Sequence, residues 1–147
     1  MNSKIFISSL GWFSLMLPSD WEEYDDDEEG TYAFFNAKSW SGNFRVTPIR
    51  WKNIADPEED KSAKYIAEEI FENEGATRIK LGKYECAYYK KNVVQDAKEH
   101  VMHYWTTGKR NILFICSFTI DKEQEQTERH KIELEIVQNI IRSIKIN

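Results

Sequence analysis

A chain of 147 residues and 17.4 kDa is the length of one domain with one core. Hydrophobic residues at 41% and aromatic residues at 14% exclude a disordered, collagenous or low-complexity protein. The formal charge of −5 has a local origin: residues 20–29 (DWEEYDDDEE) hold eight acids and no base, and the rest has 17 acids against 20 bases.

With no cluster of Lys and Arg to displace counterions, nucleic acid is excluded as a partner. Cys86 and Cys116 lack a metal-type spacing and are too few for a disulfide scaffold. Both fall in apolar, strand-like runs and are expected to be free, buried thiols. The N-terminal MNSKIFISSLGWFSLML has some features of a signal peptide. Ser8, Ser9 and Gly11 interrupt it, however, and no small-x-small cleavage site follows. No stretch of 18 apolar residues is present, so no membrane span is expected. The expected location is the cytoplasm.

Residues 12–17 are a short apolar run that Pro18 stops, and the acidic decade follows it up to Gly30. Residues 31–37 (TYAFFNA) and 43–51 (NFRVTPIRW) read as two strands joined through the turn-prone SWSG. Pro48 cannot donate to a sheet ladder, which predicts an edge strand or a bulge there. Asp56 and Pro57 fit the N-cap and first position of a helix. Ala63, Ile66, Ala67, Ile70 and Phe71 form its apolar stripe, and Gly75 ends it.

Three strands in a meander are expected next. Residues 78–92 bend at Gly82-Lys83, and residues 99–107 and 111–120 meet across a Gly108-Lys109-Arg110 turn. Ile112, Phe114, Cys116, Phe118 and Ile120 share one face of the last strand, with Leu113 and Ile115 on the other. A strand apolar on both faces is expected to be central. Asp121 and Gln124 fit a capping box for a closing helix. Its first turns (KEQEQTERHK) are expected to stand in solvent, and Ile132, Ile136, Val137, Ile140, Ile141 and Ile144 to pack inward. The order predicts an α+β domain over residues 1–147, with helices on an antiparallel sheet.

Three motifs carry a family resemblance. Phe13-Ser14-Leu15-Met16-Leu17-Pro18 followed by Trp21 resembles the opening of PsbP/DcrB/Mog-like domains. The helix over residues 65–75 with Gly82 and Tyr88 is similar to their middle. Ile140-Ile141-Arg142-Ser143-Ile144 resembles their end. Within that group the chain resembles uncharacterised single-domain proteins of Bacteroidetes-type bacteria, a domain of unknown function. The resemblance implies an α/β/α sandwich on a twisted antiparallel sheet and a non-enzymatic binding role. It transfers no functional residue.

No spacing points to catalysis or a metal. An EF-hand loop starting at Asp25 would put Asn36 where the bidentate Glu belongs, and Phe34-Phe35 reads as strand. His100 and His103 are three apart on a strand and so face opposite sides. The nucleophile-elbow and phosphate-loop patterns each miss a required glycine. Glu68, Glu69, Glu133 and Glu135 read as solvated helix carboxylates.

Two features are left over. Asp25, Asp26, Asp27, Glu28 and Glu29 repel one another and offer nothing to a core. Trp40 and Trp51 flank the expected edge strand and could form an exposed patch. Together they predict a non-catalytic protein-binding domain, without cofactor or metal, that docks to a basic protein of unknown identity. The alternatives are an immunity or inhibitor protein masking a basic surface, and a small enzyme whose site is dispersed along the chain.

Overall fold

Alternating apolar side chains over residues 112–120 build the middle of the main sheet. In the computed structural model, which describes residues 2–52 and 59–147, the chain begins with β1 (Ser3–Ile7), β2 (Phe13–Pro18), β3 (Trp21–Tyr24), β4 (Tyr32–Asn36) and β5 (Gly42–Arg50). After α1 (Lys61–Glu72) come β6 (Thr77–Leu81), β7 (Tyr84–Gln95), β8 (Lys98–Lys109) and β9 (Ile112–Asp121). A 3-10 turn (Lys122–Gln124), α2 (Glu128–Arg142) and β10 (Lys145–Ile146) complete it. The main sheet has seven antiparallel strands in the order β3-β4-β5-β9-β8-β7-β6, with β9 in the centre as expected. A second sheet, β1-β2-β10, is also antiparallel.

One face of the main sheet carries the large core. Phe34, Phe44, Trp105, Phe114 and Phe118 pack there against Phe13, Leu15 and Leu17 of β2 and Val137, Ile140 and Ile141 of α2. Each such side chain, fully buried, contributes about 1.5–3 kcal/mol of transfer free energy. The other face is covered at one end only, where Ile66 of α1 is buried over β7 and β8. Strand dominates the fold, and the second helical layer of the expected α/β/α sandwich spans only part of the sheet. The end formed by β3, β4 and β5 stays open on that face.

Several local expectations are corrected. Residues 43–51 are not an edge strand, because β5 lies between β4 and β9. Its pairing with β4 stops at Tyr32↔Val46, so Pro48 sits where only β9 is registered beside it. The single strand at residues 78–92 is a hairpin, β6 and β7, and the meander has four strands. Gly82, in its turn, adopts φ +66°, and a Cβ there would lie 2.6 Å from the Arg142 carbonyl oxygen.

The β8–β9 loop is Arg110-Asn111, since Lys109 pairs with Ile112. Gly108 belongs to β8, and a Cβ on it would lie 2.1 Å from the Ile112 carbonyl oxygen. Asp56 and Pro57 lie outside the described residues. The side chain of Asp60 caps α1 by accepting from the Ala63 N–H at 3.0 Å. The inward stripe of α1 is Ser62, Tyr65, Ile66, Glu69 and Ile70, one position away from the expected register, and Phe71 is 91% exposed. Asp121 makes no side-chain cap; Thr127 caps α2 by accepting from the His130 N–H. On α2, Ile132 is exposed, whereas His130 and Glu133 are buried beside Val137 and Ile140.

Candidate binding site

The acidic run forms the turn between β3 and β4. Asp25 Oδ1 accepts the Asp27 N–H at 2.9 Å, and Asp27 takes φ +60°, a left-handed conformation that Asp tolerates in turns. Asp25, Asp27, Glu28 and Glu29 are exposed. Asp26 is different. Its side chain is 5% exposed and accepts from Arg45 Nη2 at 2.6 Å. One of the five carboxylates is therefore part of the fold. Nothing in the sequence marked it, because Arg45, between Phe44 and Val46, reads as a solvent-facing position of an alternating strand.

Strand alternation brings Tyr24, Phe35 and Arg45 to the open face of the sheet: Tyr24 opposes Ala33, and Ala33 opposes Arg45. Burial raises the pKa of the Tyr24 hydroxyl, against the opposing pull of the Arg45 guanidinium. Tyr24 and Phe35 meet edge to face at 5.7 Å, and Phe35 and Trp40 at 6.1 Å. Trp40, 66% exposed, donates its indole N–H to Asn43 Oδ1 at 3.0 Å. Together Tyr24, Asp26, Phe35, Trp40, Asn43 and Arg45 line a recess of about 420 Å³. Asp26 Oδ2 and Arg45 Nε are buried beside it without a hydrogen-bond partner among the described residues.

Of the expected site residues, Asp26 and Trp40 line this recess, and Asp25, Asp27, Glu28 and Glu29 do not. Trp51 does not line it either. It follows the far end of β5, about 30 Å of strand from the Trp40 end, with Lys61 Nζ 5.8 Å from its ring.

Helix α2 holds the Trp40 loop in position. Arg129 donates to the Ser39 carbonyl at 2.6 Å, and the Ser41 hydroxyl donates to Glu133. Glu133 is buried beside Arg129 and is not the solvated carboxylate expected. On the far side of Trp40 and Asn43 a smaller recess of about 310 Å³ includes Ser41, His100 and Asp121. His100 Nδ1 lies 3.4 Å from Asp121 Oδ1, but the Ser41 hydroxyl is already given to Glu133.

On the core face, His103 and His130 meet Nε2 to Nε2 at 3.2 Å, so one ring carries its proton there. The Tyr88 hydroxyl pairs with His103 Nδ1 at 2.8 Å, and His130 Nδ1 has no partner among the described residues. Burial, then the charges of His130 and Lys90, lower the His103 pKa to about 4; burial also lowers that of His130. Glu125, hydrogen-bonded by Lys122 and Lys90, is held at about 2. The sequence reading placed this polar run in solvent. Its missed sign was helical spacing: His130 and Val137 are seven apart on one face. Both cysteines are buried and free, and burial pushes the Cys86 thiol up to about 12 and Cys116 well above its ordinary value.

No helix among the described residues is long and apolar enough to cross a membrane. No group of three or more His, Cys, Asp or Glu suited to a metal ion occurs among the described residues. Chemically, the recess offers aromatic walls and one carboxylate–guanidinium pair, with Asp26 buried and Arg45 partly exposed.

No curated protein matches the sequence. Among solved structures, one from Bacteroides thetaiotaomicron VPI-5482 is 32% identical with a TM-score of 0.80. The match covers 100% of this chain and 49% of that one, so this chain spans about half the length of that relative. LpqN of Mycobacterium tuberculosis, described as involved in cell envelope biogenesis, is 9% identical with a TM-score of 0.58 and is a likeness of fold. That match covers 99% of this chain and 91% of LpqN. The cyanobacterial PsbP (CyanoP) of Synechocystis sp. PCC 6803 is 10% identical with a TM-score of 0.48, over 99% of this chain and 93% of that one. The expected resemblance to an uncharacterised family of Bacteroidetes-type bacteria is borne out, and the wider resemblance is one of fold alone. The model of the domain of unknown function DUF3805 matches residues 1–147, and the chain belongs to that family.

Proposed function

We propose that this protein is a non-catalytic binding domain of the bacterial cytoplasm that docks to a protein with a basic surface. The observation that carries this reading is that Asp26 of the acidic turn and Trp40 line one recess of the uncovered sheet face. Four exposed carboxylates flank Asp26 and concentrate negative potential at one end of β4, which steers a basic partner, while the exposed Trp40 indole reaches the recess from the other end of β4 and offers an apolar anchor. Trp51 lies outside this surface.

The test is capture of partners by the wild-type domain and by a variant in which Asp25 and Asp27 become Asn and Glu28 and Glu29 become Gln. A partner held through this surface associates more slowly with the variant at low salt, by about tenfold or more, with little change in dissociation. Equal association rates would refute the reading. Loss of a captured enzyme's activity on binding would make the domain an inhibitor of it.

A further inference from the structure

We propose that the recess between Tyr24, Phe35 and Trp40 is a socket for one cationic side chain, a lysine ammonium or an arginine guanidinium, of the docking partner. The inference rests on the docking reading above and specifies what enters the surface. Three observations carry it.

The first is an unmet bonding need. Asp26 has one oxygen on Arg45 at 2.6 Å, while Oδ2 is buried and has no partner among the described residues. A buried carboxylate oxygen without a donor is costly, and an N–H entering from the recess relieves that cost. The second is the wall chemistry. Tyr24, Phe35 and Trp40 stand edge to face in series, and the outermost ring, Trp40, is 66% exposed. Aromatic faces attract cations, tryptophan most strongly, and they also accept the apolar stem of a lysine or arginine.

The third is charge. Inside the recess Asp26 and Arg45 neutralise one another, so the net charge of this end of the sheet comes from Asp25, Asp27, Glu28 and Glu29, which are exposed, do not line the recess and lie within three residues of Asp26. The surrounding carboxylates disfavour an anion, and an uncharged apolar side chain leaves both Asp26 Oδ2 and the equally buried Arg45 Nε unpaired. At about 420 Å³ the recess is within the size range of sites that hold small ligands.

The test uses three small probes: the N-acetyl methylamides of lysine, of arginine and of norleucine, which has a straight aliphatic side chain and no ammonium. They are titrated into the isotopically labelled protein while the indole N–H of Trp40 and the backbone N–H of Asn43 are followed by NMR. Saturable shifts at both positions are expected for lysine, arginine or both, weakening as salt rises from about 0.05 to about 0.5 M. Norleucine is expected to bind about tenfold more weakly or not at all.

Trp40→Ala is the main variant, because its exposed ring is not needed for folding. It is expected to lose about tenfold in cation affinity, read at Asn43, with unchanged thermal stability. Asp26→Asn, if it folds, is expected to lose the preference over norleucine. Equal binding of norleucine and lysine overturns the socket, as does the absence of shifts with all three probes. If the cations bind nowhere near Trp40 while the neutralised acidic turn still slows partner capture, the socket falls and the docking reading stands. If that variant also captures partners at the wild-type rate, both fall.

Discussion

Phe114 is fully buried in the middle strand, with its ring 5.1 Å from that of Phe13 and 5.9 Å from that of Trp12. Truncation to Ala removes both contacts and leaves a cavity between the two sheets, so Phe114→Ala is expected to cost about 3–5 kcal/mol in urea unfolding. A near-wild-type midpoint would contradict the placement of β9. At Cys86 and Cys116 the buried, raised-pKa thiols are expected to react slowly with a thiol reagent until the protein unfolds. Fast labelling of either in the native protein would show an opening that the packing does not allow.

The acidic turn divides into two kinds of residue. Asp25→Asn with Asp27→Asn keeps the local turn, lowers repulsion and is expected to leave thermal stability equal or slightly higher. Asp26→Asn weakens the bond to Arg45 and is expected to cost about 1–3 kcal/mol. A uniform response across the three would mean that Asp26 has no special place. In a run of like charges nothing local distinguishes Asp26; its partner, Arg45, lies 19 residues away.

Elements meet through buried polar contacts as well as through the core. His103 on β8, His130 on α2 and Tyr88 on β7 form one chain across the core face, with Lys90 and Glu125 beside it. The folded pKa of His103 lies at about 4 against an ordinary 6.5, and that of His130 is also lowered. The unfolded state therefore binds more protons between these values. The contribution of the pair is complete above about pH 6.5 and is lost as pH falls toward about 4. The urea midpoint is expected to decline over that interval, and replacing both histidines by Phe is expected to flatten it. An unchanged wild-type slope in the double variant would place the titration elsewhere.

Element types were easier to read than their phases and ends. The periodicity of α1 is real, but Ala63 and Ala67 are small enough to suit either side of a helix. The buried stripe is set instead by Ile66 and Tyr65 meeting the sheet. The capping box at Asp121 failed because a 3-10 turn intervenes, leaving Thr127 to do the capping.

At the scale of the whole molecule, the α+β order and the central β9 were legible because they rest on patterns eight to ten residues long. The recess was not, since it assembles Tyr24, Asp26, Phe35, Trp40 and Arg45 from β3, β4, β5 and two turns. Each side chain looks ordinary in its own segment. What joins them is strand register, and register depends on the complete sheet. The pinning of the Trp40 loop by Arg129 and Glu133 spans some 90 residues and was equally invisible.

The smaller sheet has a consequence for the order in which the chain acquires its structure. Its middle strand, β2, is bordered on one side by β1 and on the other by β10, where Lys145 pairs with Ser14 and Ile146 with Phe13. Asn147 adds two bonds, its N–H to the Trp12 carbonyl and its side chain to the Gly11 carbonyl. During synthesis β2 can therefore gain only one neighbour until residues 145–147 have left the ribosome. Contacts of such long sequence separation also delay folding, to a timescale of about milliseconds to seconds. Removal of Lys145–Asn147 is expected to lower the unfolding midpoint and raise the unfolding rate. A nascent chain arrested before those residues emerge is expected to be markedly more sensitive to protease than one in which they have emerged, and equal resistance would show that the small sheet forms without its last strand.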